Sequence, residues 1–212
     1  MSLSIKILKQ QLTKPLPGLE SHLKMAPKDR VKELHLSTSN QLNARQSAVL
    51  ALLFPENKRL KLIFIKRSEN GGIHSGQISF PGGKYENNDK DFQTTALREA
   101  YEEIGVEPKT IEIIGQLSDL YIPPSNFLVK SFVGYCTHKP HYVINRDEVQ
   151  FVIEIYLDDF FEKSSIFEKE FLSGSTRKAK LAPYYKINNT EIWGATAMIV
   201  SELTDILKPL IV

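Results

Sequence analysis

Apolar residues run without a break through Ser47-Ala48-Val49-Leu50-Ala51-Leu52-Leu53-Phe54, the pattern of a strand buried on both faces. Pro55-Glu56-Asn57 interrupts the run and Leu60 to Ile65 resumes it, which predicts a hairpin. A glycine-rich stretch, 71–83, and a polar loop, 84–90, lead into a helix over 91–104. Asp91 is its expected N-cap, and Gly105 stands where a helix ends in a left-handed residue. Strand-like runs follow at 111–115, 127–136 and 148–156, then a polar segment at 158–180. A strand pair around 184–193 and a helix over 195–207 close the pattern. Strands and helices mixed in this order, with hairpins, predict an α/β sandwich around a mixed sheet rather than a doubly wound parallel one. Residues 1–43 are polar and carry Pro15, Pro17 and Pro27. They predict an arm with one or two short helices, docked on a domain formed by residues 44–212.

The helix over 91–104 carries the chemistry. At about 100° per residue, Leu97, Ala100, Tyr101 and Ile104 share one face, and Glu99, Glu102 and Glu103 gather on the opposite one. None of these glutamates has a basic residue four positions further on, so their repulsion has no helical relief. A divalent cation would supply it, and hard carboxylate oxygens suit Mg²⁺ or Mn²⁺. Upstream, Phe80-Pro81-Gly82-Gly83 places a glycine turn where backbone can approach a ligand closely. Arg98 sits at the helix edge, placed to pair with an acidic residue of the preceding loop and lock that loop to the helix.

Composition narrows the function classes. A length of 212 residues suits one domain, or one domain plus an arm. A net charge of +2 is too small to argue for nucleic acid or an anionic membrane as partner. Arg177, Lys178 and Lys180 form a local basic group, read as a solvated loop. The single cysteine, Cys136, excludes an internal disulfide and lies in an apolar run, where it reads as a small buried strand residue. The opening MSLSIKILKQQL has no apolar stretch long enough for a leader or a membrane span, so the default expectation is the cytoplasm.

Arg98-Glu99-Ala100-Tyr101-Glu102-Glu103-Ile104-Gly105-Val106 resembles the second half of the Nudix hydrolase signature, with Ala100 at an aliphatic place. The first half departs from it. The span from Gly83 to Arg98 is one residue longer than the general pattern, and Asp89 or Asp91 stands where the signature has glutamate. The coenzyme A pyrophosphatase branch is similar in these departures. Thr95-Ala96-Leu97-Arg98-Glu99 matches its helix entry, and Arg67-Ser68, Gly76 and Phe80-Pro81-Gly82-Gly83 match its upstream motif in register. Gly72 replaces the second arginine of that motif. Ser125-Asn126-Phe127-Leu128-Val129, Asp147-Glu148-Val149 and Ile192-Trp193-Gly194-Ala195-Thr196-Ala197 are also similar, so the resemblance spans about residues 45–207.

The resemblance implies a Nudix-type α/β/α sandwich and a Mg²⁺- or Mn²⁺-dependent hydrolase of pyrophosphate links. Coenzyme A is the leading substrate, giving 3′,5′-ADP and 4′-phosphopantetheine. Alternatives are ADP-ribose, NADH or a dinucleoside polyphosphate, or a Nudix-fold binding module without turnover. It implies Glu99 and Glu103 as metal ligands, Glu102 as a third ligand or base, Arg98 as an orienting residue and Glu148 as an additional ligand or base. Arg67, His74, Gly82, Gly83, Ser125 and Phe127 are its substrate-contact candidates, with Lys66 beside Arg67. Homodimers are common in the family, although no exposed apolar stripe in the sequence demands one.

Overall fold

In the computed structural model, which describes residues 5–30, 43–69, 76–172 and 179–208, the apolar run at 47–54 is the middle of the longest strand, β1 (Arg45–Glu56). It turns into β2 (Arg59–Arg67) through Asn57 and Lys58, both at positive φ. That backbone suits the right-handed twist of a two-residue hairpin, and the strands pair antiparallel from Leu53↔Leu62 to Glu56↔Arg59. On its other edge β1 runs parallel to β7 (Phe127–Tyr135), from Arg45↔Phe127 to Leu53↔Tyr135. Five shorter or flanking strands complete the eight-stranded sheet. β3 (Ile78–Ser79) and β8 (Val149–Tyr156) pair with β2, and β4 (Gly82–Lys84) with β1. β5 (Glu112–Gln116) and β6 (Leu120–Ile122) pair with β7. The sheet is mixed, as the strand pattern predicts.

Alternate side chains of β1 enter two different cores, as the two-residue period of a strand requires. Leu50, Leu52 and Phe54, with Ile63 and Ile65, pack under α3, the helix Phe92–Ile104. Ala51 and Leu53, with Leu62 and Phe64, pack under α4, the helix Gly194–Leu207. The result is an α/β/α sandwich. Ahead of α3 in the chain are α1 (Ile5–Leu12) and α2 (Leu19–Leu23), which pack against α4 and β5. Leu8 and Met25 are fully buried in the α4 core. Buried His22 places Nε2 2.9 Å from the Glu202 carboxylate of α4. Gly18 N and Ser118 N donate to the same carboxylate, so the α1–α2 segment is fastened by a satisfied polar network.

Two expectations are corrected. The segment 158–180 is not simply polar: it contains β9 (Ile166–Leu172) and the start of β10 (Ala179–Ile187). With β11 (Thr190–Trp193) these form a separate three-stranded sheet. Glu168, Lys169 and Glu170 interrupt the apolar alternation of β9 and hide its period. This edge strand leaves Ile166, Phe167 and Leu172 exposed, and Leu181 of β10 as well, an apolar surface that the sequence pattern does not reveal. The inward face of α3 is also rotated from its expected position. Ala96, Ala100, Glu103 and Ile104 are buried, while Tyr101 is 49% exposed. Small Ala96 and Ala100 let the helix settle close to β1, and this brings Glu103 inward instead of Tyr101.

Candidate functional site

Asp91 caps α3 by accepting from Thr94 N at 2.7 Å and Thr94 Oγ1 at 2.8 Å. Asp89 has a different task. Its carboxylate accepts from Arg98 Nε at 2.9 Å and Nη2 at 3.1 Å, from Thr95 Oγ1 at 2.9 Å and from Glu86 N at 3.0 Å. The two aspartates left open by the sequence are thereby distinguished: Asp89 ties the loop to the signature arginine. Arg98 above all holds the Asp89 carboxyl at about 2, against the opposing effect of burial. Arg98 also donates to Lys84 O, and its Nη1 lies 3.0 Å from Glu99 and 2.8 Å from Glu102. Glu102 therefore does have a helical partner, four residues before it rather than after.

The three glutamates of α3 occupy different environments. Glu103 has no exposed surface, and its carboxylate accepts from Gly82 N at 2.9 Å and Arg67 Nη1 at 2.9 Å. Burial pushes it up to about 7, opposed by Arg67 and the Gly82 amide. Glu99 is pushed up by burial, lowered by Arg98, and raised again by the charges of Glu102 and Glu148. Glu102 lies outermost, its side chain about half exposed. Among the described residues no three acidic, histidine or cysteine groups are gathered into a ready cation cage.

The two glycines are required for different reasons. Gly82 has φ +153°, and a Cβ there would lie 2.4 Å from Ala48 O and 2.6 Å from Val49 Cα. At Gly83 a Cβ would meet the Glu99 carboxyl carbon at 2.4 Å. The β4 backbone thus runs directly under the glutamates, held by its pairing with Ser47–Val49. Its Gly82 amide is committed to Glu103.

Glu148 directly precedes β8, one residue later than the expected strand start. Asn145 Nδ2 donates to its Oε1 at 3.2 Å, and its backbone carbonyl accepts from Ser68 N. Glu148 raises Glu99 through its charge, so the two carboxylates share one electrostatic environment. Five carboxylates, Asp89, Glu99, Glu102, Glu103 and Glu148, thus meet two guanidiniums, Arg67 and Arg98. That negative surplus and its all-oxygen donor set fit a hard divalent cation. Asn145 was not among the sequence candidates; its one signal is an asparagine three residues before an acidic residue.

The remaining candidates divide. Arg67 is brought to the site through Glu103, whereas Lys66 turns to Gly76 O. Ser125 is buried, with its carbonyl accepting from Arg45 Nη2 at 2.6 Å, and Arg45 covers the Phe127 ring at 4.1 Å. Among the described residues neither forms a hydrogen bond or ion pair with the glutamates. His74 and Gly72 lie outside the described residues, as do Arg177 and Lys178. Cys136 is buried as expected, and burial raises its thiol. No described helix is long and apolar enough to cross a membrane.

The NUDIX domain matches residues 44–164. The chain is 33% identical over 169 residues to the Nudix hydrolase NudL of Citrobacter koseri, covering 76% of this chain and 82% of that protein. It is 33% identical over 144 residues to the mouse peroxisomal coenzyme A diphosphatase NUDT7, covering 68% of this chain and 61% of the mouse protein. Among solved structures, a MutT/nudix family protein from Enterococcus faecalis superposes with a TM-score of 0.53 at 16% identity, over 87% of this chain and 75% of that one. That last likeness concerns the fold alone.

Proposed function

The chain belongs to the Nudix hydrolase family, and from that premise we propose that it hydrolyses the pyrophosphate of coenzyme A or a coenzyme A derivative, with residues 44–212 as the hydrolase domain and residues 1–43 as its arm. The observation that carries the reading is the pairing of Glu99 and Glu103 over the Gly82–Gly83 backbone, with Glu148 in the same electrostatic environment. Support for coenzyme A comes from the mouse relative, a coenzyme A diphosphatase by name, and from the branch-like stretches Phe80–Gly83 and Thr95–Glu99.

Glu99 and Glu103 would hold Mg²⁺ or Mn²⁺, with Glu102 joining them by leaving Arg98. Such a cation neutralises the diphosphate and makes a water more acidic. Arg67 keeps the Glu103 carboxylate aimed from the sheet, and Arg98 keeps the 84–90 loop against the helix. Glu148 is assigned the base that takes the proton of the attacking water. The water oxygen bonds to one phosphorus as the bridging P–O bond breaks, leaving two phosphate monoesters. From coenzyme A these are 3′,5′-ADP and 4′-phosphopantetheine.

The test is chromatographic product analysis with coenzyme A, ADP-ribose, NADH and diadenosine polyphosphates, each with Mg²⁺, Mn²⁺ or chelator. Expected is cation-dependent release of 3′,5′-ADP from coenzyme A, abolished in Glu103→Gln. Turnover of another diphosphate alone would refute the coenzyme A assignment while keeping the chemistry. Gly72, in place of the branch arginine, makes that the second reading.

A further inference from the structure

The C-terminal end of α3 is bound to the segment that carries Glu148. The last carbonyls of a helix lack partners within it. Here Ile104 O accepts from Val143 N at 2.9 Å and Glu103 O accepts from Asn145 N at 3.0 Å. Gly105, at φ +71°, makes this docking possible, because a Cβ there would lie 2.6 Å from Val143 Cβ. Asn145 is therefore hydrogen-bonded through its main chain to the residue whose side chain is the buried glutamate of the site. Its own carbonyl accepts from Glu148 N at 3.2 Å and Val149 N at 2.9 Å, closing a tight turn.

The side chain of Asn145 uses both of its ends. Oδ1 accepts from Asp147 N at 3.2 Å, and Nδ2 donates to Glu148 Oε1 at 3.2 Å. Chemistry fixes this orientation: the Asp147 N–H requires an acceptor, and an ionised carboxylate can only accept. A turn alone would need only Oδ1. The donor toward Glu148 is an additional feature, and it is coupled through one residue to Glu103.

We propose that Asn145 is a positioning residue that fixes the Glu148 carboxylate relative to Glu99 and Glu103, resting on the reading of Glu148 given above. It touches neither substrate nor reacting atoms, and acts only through Glu148. Loss of such a supporting hydrogen bond typically costs about ten- to a hundredfold in activity.

Asn145→Asp separates this role from a purely structural one. It is isosteric and keeps an acceptor for Asp147 N, but replaces the donor by an oxygen that repels Glu148. Asn145→Ser keeps a shorter turn acceptor, cannot reach Glu148, and serves if the aspartate variant fails to fold. Activity would be measured on the diphosphate that the wild type turns over fastest, at saturating Mg²⁺, beside Glu148→Gln and the double variant. Expected are a kcat loss of about ten- to a hundredfold in both Asn145 variants, near-constant KM and melting temperature, and no further loss when Asn145→Asp is added to Glu148→Gln. Wild-type kcat in Asn145→Asp, or losses that multiply in the double variant, overturns the assignment of Asn145 alone. Wild-type kcat in Glu148→Gln overturns the reading of Glu148 and this proposal with it.

Discussion

Replacing Asp89 by asparagine tests the division of labour between the two aspartates ahead of α3. The Asp89 carboxyl is lowered from 3.8 to about 2. A pKa unit is worth about 1.4 kcal/mol, so the ionised form contributes about 2 kcal/mol to folding. The basicity of Arg98 is raised as well, first by Asp89, against burial, and then by Glu99 and Glu102. Because three carboxylates share the shift of Arg98, the shift of Asp89 itself is the better measure of this one pair. Asparagine keeps the shape but loses the charge and one acceptor, so Asp89→Asn should destabilise by about 2 kcal/mol. Asp91→Asn should cost only a few tenths, since asparagine caps helices as well as aspartate does.

The pH dependence gives a second handle. A depressed folded pKa means that the contribution is complete above the unfolded value of 3.8 and is lost as pH falls toward 2. About 1 kcal/mol of it is gone by pH 3. Urea unfolding of wild type and both variants at pH 7, 5, 4 and 3 therefore predicts a gap between wild type and Asp89→Asn that narrows toward pH 3. Equal costs at the two positions, or a gap that stays constant with pH, would refute the reasoning.

Three further substitutions read the glycines and the α1–α2 segment. Gly83→Ala pushes against the movable end of Glu99, so it should leave the melting temperature nearly unchanged while raising the Mg²⁺ concentration needed for half-maximal turnover. Gly82→Ala pushes against the β1 backbone at a positive φ and should cost roughly 2–4 kcal/mol in urea unfolding; a larger stability loss at Gly83 than at Gly82 would contradict the geometry. His22→Ala leaves the fully buried Glu202 charge without its imidazole partner and should cost about 3 kcal/mol at neutral pH. Burial raises Glu202 but His22 and Ser118 outweigh it, so the net shift is downward and the stability from this carboxylate is lost as pH falls; a neutral His22→Ala in urea unfolding would show that the α1–α2 segment is not fastened there.

The fold was legible where one physical requirement dominated a segment. A strand buried on both faces has to be apolar, and β1 is so from Ala48 to Phe54. A helix that must stop takes a left-handed glycine, and Gly105 does so. β9 was hidden because an edge strand with two half-wet faces can alternate charges with aromatics, and Glu168, Lys169 and Glu170 erase the period. The site shows the same division. The spacing of Glu99, Glu102 and Glu103 announced a cation-binding helix, but helical angles alone assigned Glu103 to the polar face. A carboxylate is expected outside unless something inside accepts it, and here the acceptors are a main-chain amide of Gly82 and the guanidinium of Arg67. Neither pairing has a sequence signal, because one donor is backbone and the other lies 36 residues earlier on a strand. The choice between Asp89 and Asp91 was undecidable for a related reason. Both precede α3 at capping distance, and only the path of the loop shows which one meets Arg98. A functional helix of this kind is thus legible in its charges but not in its orientation, since its most important carboxylate is turned inward by groups that belong to the sheet.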